Sequence, residues 1–356
     1  MSQHRFVRDE ISAIQGYIPG EQPRDRSYTK LNTNENPYPP SERVLAAIRA
    51  RVGADLRLYP DPAALALRQA ASRVYGSSVE SIMAGNGSDE LLSVIMRTCI
   101  ASGDRVTYAT PTYSLYDTLV ALQGGTAIHA PYPADFALPA EALARASARV
   151  TIVCNPNAPS GTRTPLSTIE ELARSVSGLL IVDEAYVDFS DGSALGLVGR
   201  YSNVVVLRTF SKSFSLCGLR IGLAFAQPTI LAEFAKVRDS YSVNQLGLQA
   251  ATAALEDYGS MQANVQRICA SRADLQAGLI QRGFQVLPSE TNFVLARRPG
   301  VDLSGYQQAL KGQGVLVRHF SVPALQDALR ITVGTPAELN SLFQAMDALG
   351  TGFYTP

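Results

Sequence analysis

The sequence carries no net charge: 31 Lys plus Arg balance 31 Asp plus Glu. Without a basic field the chain cannot hold nucleic acid or an anionic membrane non-specifically, so any anion site must be local and its ligand a small molecule. Cysteine is sparse. Cys99, Cys154, Cys217 and Cys269 show neither the short paired spacings of zinc sites nor the density of secreted disulfide frameworks, so no metal is expected and a reducing cytoplasm is. No run approaches the roughly 20 apolar residues of a membrane helix, and the opening MSQHRFVRDEISAIQGY has no apolar signal core. No internal repeat or low-complexity stretch occurs. The glycine turn GNGSDE lacks the spacing of the dinucleotide fingerprint, and there is no Gly-Lys-Ser phosphate loop.

What is there suits an enzyme-sized globule: 356 residues, 46% hydrophobic and 17% charged, enough to bury the cores of two domains. The first forty residues are rich in Pro, Asn, Gly and Tyr, which favours an extended, wrapping arm. From Ser41, SERVLAAIRARV and then LALRQAASRVYG place apolar residues at helical spacing, the first behind a Ser cap and the second before a Gly stop. Between about Ser81 and Phe225, strand-like runs (DRVTYAT, ARVTIVCN, LLIVDEAYVDF, NVVVLRTFS, IGLAFA) alternate with helical ones (SDELLSVIMRTCI, STIEELARSV). Continuous apolar runs in such alternation predict an α/β layer, a mostly parallel sheet sandwiched by helices, with ligands at the strand ends. After about Leu231 some fifty residues read as helix, followed by the pieces of a smaller α+β domain that packs with the arm. The expected division is a large domain over 41–260 and a small one made of 1–40 with 261–356.

The chemistry concentrates in RTFSKSFSLCGLRIG. Here a hydrophobic strand ends in Thr209, Ser211 and Lys212, with Arg220 shortly after. The amine of Lys212 can form an imine with an aldehyde cofactor, and the two hydroxyls with the guanidinium suit a phosphate. Alone, the segment also reads as a surface lysine in a Ser-rich turn. Upstream, LLIVDEAYVDF closes an apolar strand on Asp183, with Tyr186 three residues later. A buried carboxylate wants a cation. A protonated pyridine nitrogen is such a partner, and would make its ring an electron sink, while Tyr186 could bond the ring oxygen. The alternative for Asp183 is a cap on the next helix. MAGNGSDELL sets Gly87 and Ser88 ahead of a helix, an arrangement that binds anions but is also common at ordinary helix starts. Tyr113 in YATPTYSLY could stack on a flat ring or sit in the core.

Taken together and in order, GYIPG, LNTNENPYP, LYPDP, GNGSDELL, PTYSLY, NPNAPSG, VDEAYVDF, RTFSKSFSLCGLRIG, ETNFVL, GVLVRHF and LRITVGT resemble the fold-type I aminotransferases that use pyridoxal phosphate. Within them the resemblance is to the histidinol-phosphate aminotransferases, and it covers nearly the whole chain. It implies that Lys212 forms the Schiff base and shuttles the proton, that Asp183 pairs with the pyridine nitrogen, and that Tyr186 contacts the ring oxygen. Tyr113 would stack on the ring, and Gly87, Ser88, Thr209, Ser211 and Arg220 would surround the phosphate. Tyr59 of LYPDP would reach the phosphate of the neighbouring subunit, making a homodimer the functional unit. Arg318 and Arg330 match positions that hold the acidic group of the substrate, with Tyr17, Asn34 and Asn292 lining its pocket.

One position departs from the family pattern. The asparagine expected directly before Pro-Thr-Gly, a donor to the ring oxygen, is Ala158 in NPNAPSG, and Ser160 replaces the usual Thr. Either Asn157 or Asn155 supplies the contact through a shifted turn, or Tyr186 does so alone. The implied reaction is amino transfer between L-histidinol phosphate and 2-oxoglutarate, giving imidazole-acetol phosphate and glutamate. An aromatic amino acid aminotransferase or a threonine-phosphate decarboxylase-like enzyme is the alternative, because fold and core machinery do not set the substrate. A ligand-binding regulator without turnover would not need Lys212 and Asp183 together.

Overall fold

The computed structural model describes residues 6–350. Its main sheet has seven strands, in the order Ile82–Gly85, Gly222–Phe225, Val204–Thr209, Leu179–Asp183, Val150–Cys154, Arg105–Thr110 and Thr126–Pro131. Gly222–Phe225 runs against its two neighbours, and every other adjacent pair is parallel. Along the central strands alternate residues feed two different cores. Ile181, Val205, Leu207 and Ala224 pack with the helices Ser88–Cys99 and Pro228–Val237. Leu180, Val182, Val204, Val206 and Phe225 pack with Leu65–Tyr75, Leu166–Ser175 and Gln245–Glu256. A sheet buried on both faces needs apolar residues at every position, which is why these strands read as unbroken hydrophobic runs.

The smaller part is a four-stranded antiparallel sheet, Arg318–His319, Ala328–Thr332, Phe293–Arg297 and Gln285–Val286. The helices Tyr258–Gln281, Ser304–Gly312 and Pro336–Leu349 belong to the same core. The arm joins it directly: Thr29–Lys30 pairs in parallel with Val315–Leu316. The arm is otherwise extended apart from a short helix, Asp9–Ser12.

Local signals held at several places. Ser41 accepts from the amide of Val44 to cap Glu42–Arg51, and Gly76 ends Leu65–Tyr75 in the left-handed region at φ 69°. Two strands were not anticipated. Ile82–Gly85 is only four residues and runs straight into the glycine turn. Thr126–Pro131 is an edge strand, largely open to solvent and closed by Pro, so it carries almost no hydrophobic signal. The long helical stretch after Leu231 is broken between Val237 and Gln245.

Behind the strand ends lies a buried ionic cluster. Arg208 reaches Asp188 at 3.0 Å and Glu184 at 3.6 Å, and its guanidinium sits 4.9 Å above the ring of Tyr75. Glu184 also accepts from Ser193 Oγ and the Ala194 amide, and Asp188 accepts from Ser213 Oγ, next to Lys212. Removing the cation from such a cluster strands two carboxylates away from water. Arg208→Ala is expected to cost about 3–5 kcal/mol of stability, read from the denaturant midpoint.

Candidate active site

Asp183 and Lys212 meet where the parallel strands end, the side of an open α/β sheet that binds ligands. Asp183 is the last residue of its strand, in register with Cys154 on one side and Leu207 on the other. It is 3% exposed and has no cationic partner among the described residues. Its Oδ2 accepts from Tyr116 Oη at 2.7 Å and its Oδ1 from the Ala185 amide at 3.2 Å. Burial pushes the carboxyl up to about 6, the Asp89 carboxylate adds to the rise, and the two hydrogen bonds oppose it.

Lys212 follows the neighbouring strand, and Asn36 of the arm clamps its loop by donating to the carbonyls of Lys212 and Ser213 at 3.1 and 3.0 Å. The lysine Nζ lies 5.7 Å from the centroid of the Tyr186 ring. Desolvation chiefly, and the nearby Arg330 charge, bring its ammonium down to about 8. An amine that loses its proton so readily can act as nucleophile or base near neutral pH. Tyr186 is buried, and Asn34 Nδ2 donates to its hydroxyl at 3.0 Å.

Beside Lys212 the chain builds an anion cup. Gly87 has φ 89°, a backbone conformation that favours glycine, and leaves the Arg220 guanidinium room to lie against the turn. The helix Ser88–Cys99 begins at the next residue with no side-chain cap on its amides. Thr209 Oγ1 donates to Ser211 Oγ, and Arg220 donates to Ser211 Oγ at 3.2 Å and Asp89 Oδ2 at 3.1 Å. Arg220 itself holds φ 56°, a conformation costly for a side-chain-bearing residue. Tyr113 donates to the other oxygen of Asp89 at 3.2 Å.

A second cationic pole faces in from the smaller part. Arg318 and Arg330 are register partners on adjacent antiparallel strands, and neither has a carboxylate partner among the described residues. Arg330 is held between the rings of Phe293 and Phe320, at 5.3 and 5.5 Å, and donates to the Asn32 carbonyl, while its Nε is buried without a partner. Like charges set opposite each other are unfavourable unless an anion joins them. Asn292 donates to the Asn34 carbonyl and keeps a buried Oδ1 free. Asn34, at φ 57°, also accepts from Thr332 Oγ1. Tyr17 meets Tyr113 edge-on at 5.6 Å. Tyr59 points elsewhere, 78% exposed and stacked on Tyr241 at 4.3 Å.

The turn around Ala158 is closed by its own residues and by the Pro111–Thr112 segment. Asn155 bonds the amide and carbonyl of Thr164, and Asn157 bonds Thr112, Ser160 and the Pro111 carbonyl. A concavity of about 720 Å³ at the opposite ends of the strands holds Asp104 and Arg149, which already pair at 3.4 Å. Chemistry, not volume, marks the site.

Residues 26–346 match the family of class I and II aminotransferases. The chain belongs to this family. Two similar relatives are both 44% identical: the histidinol-phosphate aminotransferase of Citrifermentans bemidjiense, over 97% of this chain and 99% of that one, and histidinol-phosphate aminotransferase 2 of Rhizobium meliloti, over 95% and 97%. Among solved structures, the histidinol-phosphate aminotransferase of Sinorhizobium meliloti in complex with pyridoxal-5'-phosphate superposes with a TM-score of 0.89 at 28% identity, covering 98% of this chain and all of that one. The aminotransferase fold expected from the motifs is thus the fold observed.

Sequence reasoning missed Tyr116, Asp89 and Asn36. Each looks ordinary in its own segment, and only the fold brings it to Asp183, Arg220 or Lys212. The carboxyl of Asp183 is raised on folding, so its contribution to stability is complete below 3.8 and is lost as pH rises through about 6. In the cofactor-free protein, Asp183→Asn should therefore gain on the parent by ~3 kcal/mol between about pH 4 and pH 7.5, read as the change in relative denaturant midpoints.

Proposed function

We propose that this aminotransferase holds pyridoxal phosphate at Lys212 and exchanges the amino group of L-histidinol phosphate with 2-oxoglutarate, yielding imidazole-acetol phosphate and L-glutamate. The observation that carries the substrate assignment is the register-paired Arg318 and Arg330, two guanidiniums without a carboxylate among the described residues. Together they suit a phosphate in one half-reaction and a carboxylate in the other. The names of the similar relatives support the same substrate.

The residues fit the cofactor. The buried Asp183 lacks a cation that a pyridine N–H would supply, and the cup offers an uncapped helix start, two hydroxyls and a guanidinium to a phosphate. Bound there, pyridoxal phosphate supplies an aldehyde carbon and an electron-withdrawing ring. Lys212 would hold that carbon covalently and, once displaced by the amino donor, carry the proton from the donor's α-carbon. Gly87, Ser88, Thr209, Ser211 and Arg220 would grip the phosphate, Asp183 the ring nitrogen, and Tyr113 one face of the ring. Tyr186 would serve the ring oxygen with Asn34 behind it, since the side chains of Asn155 and Asn157 are already engaged in their turn. Asn157 then acts on the cofactor through the shape of the turn. Tyr17, Asn34 and Asn292 would line the substrate end, where Asn292 keeps a free acceptor.

In this reading the larger unit, 41–260, is joined to the smaller one, 1–40 with 261–356, by the helix Tyr258–Gln281. The working unit is a cytoplasmic homodimer. Four free thiols agree with a reducing compartment, and exposed Tyr59 stacked on Tyr241, with Leu56, Leu58 and Leu65 exposed in the same stretch of chain as Tyr59, suits a second copy. Tyr59 would complete the phosphate cup of the partner subunit.

The decisive measurement is the absorption of the cofactor-loaded protein before and after L-histidinol phosphate, without keto acid. The cofactor band should convert in the parent and not in Lys212→Ala. Conversion by an aromatic amino acid alone would transfer the assignment to the aromatic aminotransferases. Arg330→Leu should lower kcat/KM for L-histidinol phosphate at least about 30-fold. Mixing Tyr59→Ala with Lys212→Ala subunits should restore one intact site in each mixed dimer, measured as recovered activity.

A further inference from the structure

Tyr116 has no part in the chemistry above, yet its hydroxyl is bonded directly to the buried carboxylate of Asp183. It is wholly buried. Its ring is held edge-on from two sides, by Tyr108 at 5.6 Å and 65° and by Tyr113 at 5.6 Å and 84°. Those two rings are tied down in turn. Tyr108 donates to Asp117 at 2.5 Å, Asp117 meets His129 Nε2 at 2.7 Å, and Tyr113 is bonded to Asp89. The ring of Tyr116 therefore cannot swing away, and its hydroxyl is delivered to Asp183 Oδ2 at 2.7 Å. Burial and the neighbouring Asp183 charge hold the phenol far above the ordinary tyrosine range, so it remains a donor and never competes as an anion.

We propose that Tyr116 is a positioning residue that sets the orientation and charge of the Asp183 carboxylate, and through it the protonation of the cofactor's ring nitrogen. This rests on the assignment of Asp183 to that nitrogen. The other groups facing Asp183 cannot substitute for the phenol. The Cys154 thiol beside it is pushed up to about 12 by burial and stays neutral, the Asp89 carboxylate opposes the charge, and the Ala185 amide serves Oδ1. Tyr116 is the side-chain donor left to favour the ionised carboxylate, which in turn favours a charged ring. When the cofactor is bound, a charged ring would draw electrons from the carbon that Lys212 holds and would keep the proton affinity of the attached nitrogen low.

The test uses the holoenzyme and two cofactors, pyridoxal phosphate and its analogue with the ring nitrogen replaced by carbon. Tyr116→Phe should weaken pyridoxal phosphate about tenfold, the size expected for one hydrogen bond to a charged group. It should also move the pH midpoint of the cofactor absorption band upward by about one unit. The carbon analogue should bind parent and variant alike. A tyrosine fluorinated on the ring at position 116 keeps the shape and donates more strongly, and should move the midpoint downward; this holds the question open to refutation even where the Phe variant folds poorly. An unchanged midpoint in both variants, or equal weakening of both cofactors by Tyr116→Phe, would overturn the inference and leave Tyr116 a packing residue. Failure of the parent to form the cofactor band at all would instead remove the assignment beneath it.

Discussion

The structure turns on a carboxylate taken out of water at the end of a parallel strand. Asp183 has two hydrogen-bond donors and no cation among the described residues, so its burial is favourable only when something positive arrives. The surrounding architecture follows from that debt. Strands buried on both faces bring Asp183 and Lys212 to one rim, and the loop after each strand turns its polar residues into the same space. The glycine turn before Ser88 and the hydroxyls before Lys212 gather an anion's donors at one edge, while Arg318 and Arg330 wait for another anion at the opposite edge. A cation is thus demanded by a carboxylate without one, and anions by helix amides without a cap and by two guanidiniums without a carboxylate among the described residues.

What could be read from the sequence was whatever broke a local rule. A lysine and an aspartate that close apolar strands are out of place by composition alone, and glycines directly ahead of a helix mark a turn that needs their freedom. The layer order was legible because short apolar runs rich in Val and Ile alternate with longer segments of helical period. Residues that obey local rules were silent. Tyr116 is one more aromatic on the buried face of a short helix, and Asp89 is one more acid in a first helical turn. The edge strand Thr126–Pro131 was silent because an edge needs little burial. No spacing rule could have linked Asn34 to Tyr186 and Thr332, which lie in other parts of the chain.

Ala158 shows how a family pattern can lose a residue without losing its geometry. The turn that would carry an asparagine amide is kept in shape by Asn155, Asn157 and Ser160, all bonding inward. The polar duty shifts to the arm, where Asn34 donates to Tyr186. In the proposed site, support for the ring oxygen would thereby come from a segment that belongs with the smaller sheet rather than from the strand rim itself. The aromatic series from Tyr17 through Tyr113 and Tyr116 to Tyr108 makes a similar connection, edge to face, between the arm and the floor of the site.

Asn34 has one further consequence, for the making of the protein. Its partners include Thr332, 298 residues later, and the arm strand beside it pairs with Val315–Leu316. The arm is therefore made well before the strands it bonds to. The polar junction behind Tyr186 has to wait until the strand Ala328–Thr332 has been synthesised. A nascent or truncated chain ending before that strand would carry Lys212 and Asp183 and still lack the junction of Asn34 with Thr332.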